Sequence, residues 1–136
     1  MKKLLFVALF CLIGSLSYGQ TVISADFAGQ VGTTRTLANT TADTINLQIT
    51  KARPDLLFKY DVTKNSGTVG GTIVLQGRVT TADAWTVVNS YTLTDATATN
   101  SVALTANQYV YYRIITAPTG TQNSTHSKYV VARQYP

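Results

Sequence analysis

Three observations predict an all-β protein, a single antiparallel β-sandwich of about eight strands that is Ig-like or jelly-roll-like. Apolar and polar residues alternate with a period of two from Thr21 onward, as in strands with one buried face. Turn-forming residues recur about every 8–12 positions. The composition is rich in Thr and Val and contains no Glu, so helix-favouring residues are sparse. A small closed barrel is the alternative, but half-apolar alternation favours a sandwich.

The first 19 residues are predicted to be a secretory signal peptide, and residues 20–136 to be the folded domain. The segment begins with two lysines, continues with an unbroken apolar run over residues 4–13, and ends on small residues before Gln20. The run is shorter than the roughly 20 apolar residues that span a bilayer as a helix. We therefore expect a secreted or extracytoplasmic protein, in the periplasm, on a cell surface or in a virion, with no stable membrane span after cleavage.

Cleavage would change the chemistry that the chain can perform. It would remove Cys11, the only cysteine, so that no disulfide could form. The formal net charge of +5 would fall to +3 with the loss of Lys2 and Lys3. The remaining basic residues are scattered singly along the chain, so no nucleic-acid partner is expected.

The strands follow in order from the alternation and from the turn residues between them. The predicted strands are 22–27, a short strand near 34–37 within a loop over 28–42, 45–49, 56–64, 68–79, 85–93, 102–104, 108–117 and 128–134. Ile45, Leu47 and Ile49 alternate with polar residues in the clearest half-buried strand. Arg53–Pro54 ends that segment, because proline cannot donate a ladder hydrogen bond.

The second half of the chain has stronger turn residues. Asn65–Gly67 is a turn, and Gly70–Gly71 inside the following strand indicates a bulge or a close backbone approach. A long polar turn is expected over residues 118–127. The apolar faces of these strands predict the core. The predicted core residues are Ile45, Leu47, Phe58, Tyr60, Ile73, Leu75, Trp85, Tyr112, Ile114 and Val130.

Residues with catalytic or metal-binding chemistry are few, so the protein is not expected to be an enzyme. His126 is the only histidine and lies in the predicted polar turn, where a solvated side chain is expected. A nucleophilic triad needs a partner acid and a nucleophile, and no spacing indicates either of them. Without cysteines and with one histidine, no metal site is expected, and no nucleotide-binding glycine motif occurs. The sequence therefore predicts no cofactor.

Aromatic residues provide the one candidate binding surface. In the segment 109–113, alternation places Tyr109, Tyr111 and Arg113 on the face opposite Tyr112. Such residues are enriched where proteins bind partners, so an exposed stripe would contact a sugar or a protein. The alternative is that the same residues pack in cross-strand pairs.

Four segments carry a resemblance to a known class of proteins. Residues 63–77, ending in Leu75–Gln76–Gly77, are followed by residues 85–88, which begin with Trp85, and later by the Tyr-rich segment 109–114 and by Thr119–Gln122. This pattern resembles small β-sandwich proteins encoded by tailed phages and prophages, with a weaker likeness to discoidin-like carbohydrate-binding sandwiches. The resemblance covers residues 56–136. The Ser-x-Asp-Gly turn usual in both groups is absent before the tryptophan, so no ligand residue is carried over.

The resemblance implies an exported, non-enzymatic structural or attachment module associated with virions. The alternative is a secreted bacterial cell-surface domain that binds glycan or protein ligands, which rests on the signal peptide and the Tyr109, Tyr111 and Arg113 stripe. In either case the expected partner is a protein or glycan surface. Exposed edge strands can also pair with a neighbouring copy, so a homo-oligomer remains open.

Overall fold

The computed structural model describes residues 21–25, 30–49, 55–105 and 108–132. The predicted signal peptide of residues 1–19 and the predicted break at Arg53–Pro54 lie outside these described residues. Within them the chain forms nine strands and no helix, which confirms the all-β class. In the same ranges no helix is long and apolar enough to cross a membrane. The strands are β1 (Thr21–Ala25), β2 (Gln30–Ala38), β3 (Asp43–Ile49), β4 (Asp55–Ser66), β5 (Gly70–Arg78), β6 (Thr86–Thr92), β7 (Ala98–Thr105), β8 (Tyr111–Thr119) and β9 (Asn123–Ala132).

The strands form two separate sheets that pack face to face. Sheet A has the order β1-β3-β8-β5-β6, and sheet B has the order β2-β9-β4-β7. All pairs are antiparallel except β1 with β3, which is parallel and lies at one edge of sheet A. Because the described strands form two open sheets, the architecture is the predicted sandwich and not the closed barrel.

The inward faces of the two sheets form the core. Phe58 in sheet B contacts Tyr112 in sheet A, with ring centroids 5.0 Å apart, so these rings join the two layers. Burial of each large apolar side chain contributes about 1.5–3 kcal/mol. Nine of the ten predicted core residues are buried, namely Ile45, Leu47, Phe58, Tyr60, Ile73, Leu75, Tyr112, Ile114 and Val130.

The tenth residue, Trp85, is not part of the core, and the prediction for it is wrong. Its exposure is intermediate, and it lies outside the cluster of buried apolar residues. Trp85 belongs to the connection between β5 and β6 rather than to a strand, so strand alternation does not determine which face it covers. Its ring lies instead on the outer face of sheet A, where it contacts arginine side chains.

Strand β9 also differs from the prediction. It begins at Asn123, five residues before the predicted start at Lys128, so much of the expected polar turn is strand. The first inward positions of β9 are polar, and Ser124, His126 and Lys128 are buried although they would be expected to face solvent. Strand β2 pairs with this part of β9 along Gln30–Ala38, which the sequence predicted mostly as loop.

The polar inward side chains of β9 have partners inside the sandwich, on β3 and within β9 itself. Lys128 Nζ donates to Asp43 Oδ2 at 2.6 Å, and Arg35 Nη1 donates to Asp43 Oδ1 at 2.8 Å. Ser124 Oγ lies 2.8 Å from His126 Nε2. His126 is therefore not a solvated loop residue as predicted, because it is 1% exposed inside the sandwich. Hydrogen bonds and charge pairing offset part of the cost of burying these groups, while His126 Nδ1 is buried without a hydrogen-bond partner.

Candidate functional site

A cleft of about 380 Å³ opens on the outer face of sheet A, across β3, β8 and β5. Leu47 and Tyr112, which belong to the core below, contribute to its lining. The polar and aromatic side chains that line this surface, here called the Arg–Trp cleft, are Asn46, Gln48, Arg78, Trp85, Tyr111 and Arg113.

The strand register explains why these side chains meet. Asn46 on β3 lies opposite Arg113 on β8, and Gln76 on β5 lies opposite Arg113 on its other side. Gln48 and Arg78 flank Tyr111 in the same way. Side chains two residues apart on a strand share a face, so these positions form two adjacent rows across three strands.

Trp85 connects the two arginines of the cleft. The Cζ atom of Arg78 lies 4.3 Å from the Trp85 ring centroid, and that of Arg113 lies 4.5 Å from it. Arg78 Cζ is also 5.6 Å from the Tyr111 ring centroid. Cation–π contacts at partly exposed sites contribute about 0.5–1 kcal/mol each. The indole therefore holds two positive charges close together on one surface.

The loop between β5 and β6 brings Trp85 back over the sheet. Asp83 Oδ2 accepts a hydrogen bond from the Thr80 amide at 2.7 Å, and the Asp83 amide donates to the Thr80 carbonyl at 3.3 Å. Arg78 Nη1 donates to the Thr81 carbonyl at 2.8 Å. An aspartate closing a turn on its own backbone is a common loop-forming device. Arg78 thus both anchors the loop and lines the cleft that the loop borders.

The electrostatics of the cleft are dominated by its two cations. Arg113 Nε donates to Gln76 Oε1 at 2.6 Å, which fixes the plane of its guanidinium. Burial, and to a smaller extent the positive charge of Arg78, lowers the pKa of Arg113. Arginine nevertheless stays protonated at neutral pH, because its ordinary pKa lies so far above 7. Two like charges therefore remain side by side without an acidic side chain in the lining.

The structure brings two of the three predicted binding residues together. Tyr111 and Arg113 both line the Arg–Trp cleft. Tyr109 does not, because β8 begins only at Tyr111 and the alternation does not extend back to Tyr109. Its ring meets that of Tyr112 edge-on, with centroids 5.9 Å apart, and packs against the buried cluster. The predicted common face of Tyr109, Tyr111 and Arg113 is thus found only for the last two.

Sequence reasoning missed the residues that other strands bring to the cleft. Gln76 and Arg78 alternate outward on β5, and Asn46 and Gln48 alternate outward on β3, so the period of two already placed them on solvent faces. The sequence does not reveal that β8 lies between these strands. Trp85 is predicted to be in the core as the first residue of a strand over 85–93, but the structure places it in the connection before β6.

A second cluster with familiar catalytic residue types lies inside the sandwich. Ser124 and His126 are hydrogen-bonded to each other, and Asp43 lies close enough for its charge to raise the pKa of His126 slightly against stronger opposing effects. Burial is the largest effect, followed by the charge of Lys128, and together they lower the pKa of His126 to about 4. Ser124 has no exposed surface, so no substrate can reach it in this structure.

Metal-binding groups do not gather in the part of the chain that the structure describes. No set of three or more His, Cys, Asp or Glu side chains is close enough there to hold an ion. The Arg–Trp cleft itself offers only cations, amides and aromatic rings. These groups bind anions and hydroxyls rather than metal ions.

Comparison with known proteins identifies a fold but no family. No protein-family model matches the chain, and no curated protein matches it either. Among solved structures it is similar to the Yersinia pseudotuberculosis-derived mitogen, at 8% identity and a TM-score of 0.55, over 81% of this chain and 91% of the mitogen.

Two further similar structures have lower TM-scores. A family 16 carbohydrate-binding module matches at 10% identity and a TM-score of 0.46, over 68% of this chain and 70% of that one. The enzymatically active domain of bacteriophage CBA120 tailspike protein 4 matches at 11% identity and a TM-score of 0.48, over 85% of this chain and 18% of that one. At such identities a likeness concerns the β-sandwich fold alone, and the predicted phage-type family is not confirmed.

Proposed function

We propose that this protein is an exported, non-enzymatic module that attaches to a glycan or protein surface through the Arg–Trp cleft. The observation that carries the proposal is the convergence of Trp85, Arg78, Arg113 and Tyr111 on one solvent-facing surface. The hydrophobic core does not require them, because sheet A buries its other face.

The residue types of the cleft suit binding. Trp, Tyr and Arg are the residues that most often carry the energy of a protein interface. The volume of about 380 Å³ falls within the usual range of small-ligand sites. The loop anchored by Arg78 Nη1 on the Thr81 carbonyl holds Trp85 in place before a ligand arrives, which reduces the entropic cost of binding.

Two further observations support the other parts of the proposal. The buried position of Ser124 and His126 leaves the one Ser–His pair described above without access to a substrate, in agreement with a non-enzymatic role. Export rests on the sequence of residues 1–19, with its lysines, apolar run and small residues before Gln20.

A binding assay with matched tyrosine variants tests the role of the cleft. The chain from Gln20 onward is labelled and incubated with a panel of immobilised neutral and acidic polysaccharides and with intact bacterial cells. Tyr111→Ala removes an aromatic side chain from the cleft and should weaken binding at least tenfold, about 1.4 kcal/mol or more. Trp85→Ala should weaken it further, because both arginines lose the ring that they contact.

Tyr129→Ala is the matched control, because Tyr129 lies on β9 in sheet B with its ring over Gly32, away from the cleft. Its affinity should equal that of the unmodified chain. Equal losses in Tyr111→Ala and Tyr129→Ala, or no loss in either, would place the ligand elsewhere on the protein.

A virion-associated attachment role is the second candidate. It rests on the resemblance of residues 63–77, 85–88 and 109–122 to small β-sandwich proteins of phages and prophages. An attachment module on a particle would use the same cleft. Mass spectrometry of purified particles tests this candidate, and absence of the protein from them would leave the cell-surface role.

A further inference from the structure

The basic residues in the described part of the chain divide into two groups. Four of them have a carboxylate partner: Arg35 and Lys128 share Asp43, Lys59 pairs with Asp61, and Lys64 pairs with Asp95. The two without such a partner among the described residues are Arg78 and Arg113. Both lie in the Arg–Trp cleft, so the unpaired positive charge of the described structure is concentrated at one site.

Each of these guanidinium groups has N–H donors that form no hydrogen bond with a described side chain or carbonyl. Arg113 uses Nε on Gln76, and Arg78 uses Nη1 on the Thr81 carbonyl. Arg78 Nε is buried and has no hydrogen-bond partner. A ligand that carries negative charge and accepts hydrogen bonds from the remaining guanidinium donors would relieve the repulsion between the two arginines.

We propose that the ligand of the Arg–Trp cleft is an acidic saccharide, whose carboxylate or sulfate group is bound by Arg113 and Arg78. This inference rests on the proposed function and specifies its ligand. The planar guanidinium fork matches the two oxygens of a carboxylate, and it binds sulfate with the same donors.

The other groups of the cleft fit sugar hydroxyls. Asn46 and Gln48 lie on the β3 side of Arg113 and Tyr111, and their amides can both donate and accept. The cleft contains two cationic side chains, which are too few to follow a nucleic-acid backbone. Leu47 and Tyr112, which complete the lining, are core residues almost completely buried, so a ligand meets mainly guanidinium groups, amides and aromatic faces.

Titration calorimetry with three soluble polymers of similar length tests the inference: polygalacturonate, dextran sulfate and neutral dextran. We expect at least one acidic polymer to bind at least tenfold more tightly than dextran at low salt. The preference should decrease as salt rises, since screening weakens exposed charge pairs. Binding of polygalacturonate alone identifies a carboxylate ligand, binding of dextran sulfate alone identifies a sulfate ligand, and binding of both supports the shared anionic chemistry.

Variants of Arg113 connect this binding to the cleft. Arg113→Gln should weaken binding of the acidic polymer about tenfold or more, because the charged hydrogen bonds from the guanidinium to the ligand are lost. Arg113→Lys keeps the charge but loses the planar set of donors of the guanidinium. Its affinity should therefore lie between that of the unmodified chain and that of Arg113→Gln. Lys59→Gln removes the same charge from sheet B and should leave the affinity unchanged.

The outcomes separate this inference from the proposed function. Equal binding of dextran and the acidic polymers, lost in Tyr111→Ala, overturns the acidic ligand but keeps the cleft as a glycan site. Equal loss in Arg113→Gln and Lys59→Gln shows a nonspecific charge effect and overturns the inference. An acidic peptide and single-stranded DNA are measured as further anionic probes, and binding to either of these alone also overturns the inference. No binding to any polymer overturns it as well, and the cell-binding assay then judges the proposed function alone.

Discussion

Tyr109 and Tyr111 are two residues apart, yet their rings have different environments. The Tyr109 ring covers Gly77, where an added Cβ would lie 2.6 Å from ring atoms, and its centroid lies 5.9 Å from that of Tyr112. Tyr111 instead faces the cleft beside Arg78. One tyrosine therefore stabilises the fold, while the other is available to a ligand.

Alanine substitutions at these positions should separate stability from binding. Tyr109→Ala removes a ring packed on the buried cluster and should reduce the free energy of unfolding by about 2 kcal/mol, several degrees in Tm. Tyr111→Ala should cost less than about 1 kcal/mol, because its ring lies on a partly exposed surface. Thermal and urea unfolding of both variants measure the difference, and equal losses would contradict these assignments.

Strand β9 illustrates the element scale, because its inward face is polar for most of its length. Lys128 and Asp43 are 2% and 3% exposed in their side chains, whereas Arg35, the second partner of Asp43, is 33% exposed. Burial lowers the pKa of Lys128, and the hydrogen bond to Asp43 opposes this effect. The lysine therefore depends on Asp43, while Asp43 has an additional cationic partner.

This asymmetry predicts unequal costs for two variants that remove the same 2.6 Å ion pair. Asp43→Asn leaves Lys128 buried without a carboxylate and should destabilise the fold by about 3–5 kcal/mol. Lys128→Met fills a similar volume and leaves Asp43 paired with Arg35, so its cost should be smaller. Denaturant unfolding gives both values, and the double variant should lose less than their sum. Equal costs would show that Arg35 does not compensate Asp43.

At the scale of the whole molecule, the same buried region makes stability depend on pH. His126 has a folded-state pKa of about 4 because of burial and of the nearby charge of Lys128, with Asp43 opposing them. In the unfolded chain its pKa is about 6.5. Below pH 6.5 His126 binds a proton in the unfolded state but not in the folded state. Its contribution to the free energy of unfolding is therefore complete above about pH 6.5 and is lost progressively down to about pH 4.

The expected loss is on the order of 3 kcal/mol over that interval, since one pKa unit corresponds to about 1.36 kcal/mol. Urea unfolding between pH 8 and pH 4 measures it. His126 is the only histidine, so His126→Gln should flatten the curve between about pH 6.5 and pH 4.5. A curve of the same slope in this variant would assign the pH dependence to other groups.

The sandwich itself could be predicted from the sequence because its main cause is local. Alternation places Ile45, Leu47 and Phe58 on inward faces whatever the order of the strands, and all three are buried. The ends of the strands were less predictable. β9 extends back to Asn123 because it pairs there with β2 and β4, and pairing between residues far apart in the chain leaves no local pattern.

The candidate site depends on both levels. Alternation by itself placed Tyr111 and Arg113 on one outer face, and residues of that type already indicated binding. Only the strand order β3-β8-β5 added Gln48 and Arg78 on either side, and only the loop after β5 brought Trp85 onto the surface. The sequence therefore determined which sides of β3, β5 and β8 face solvent. The tertiary structure decided which solvent-facing residues are neighbours. Hydrogen bonds between strands determine which strands lie side by side, and positions along the chain do not.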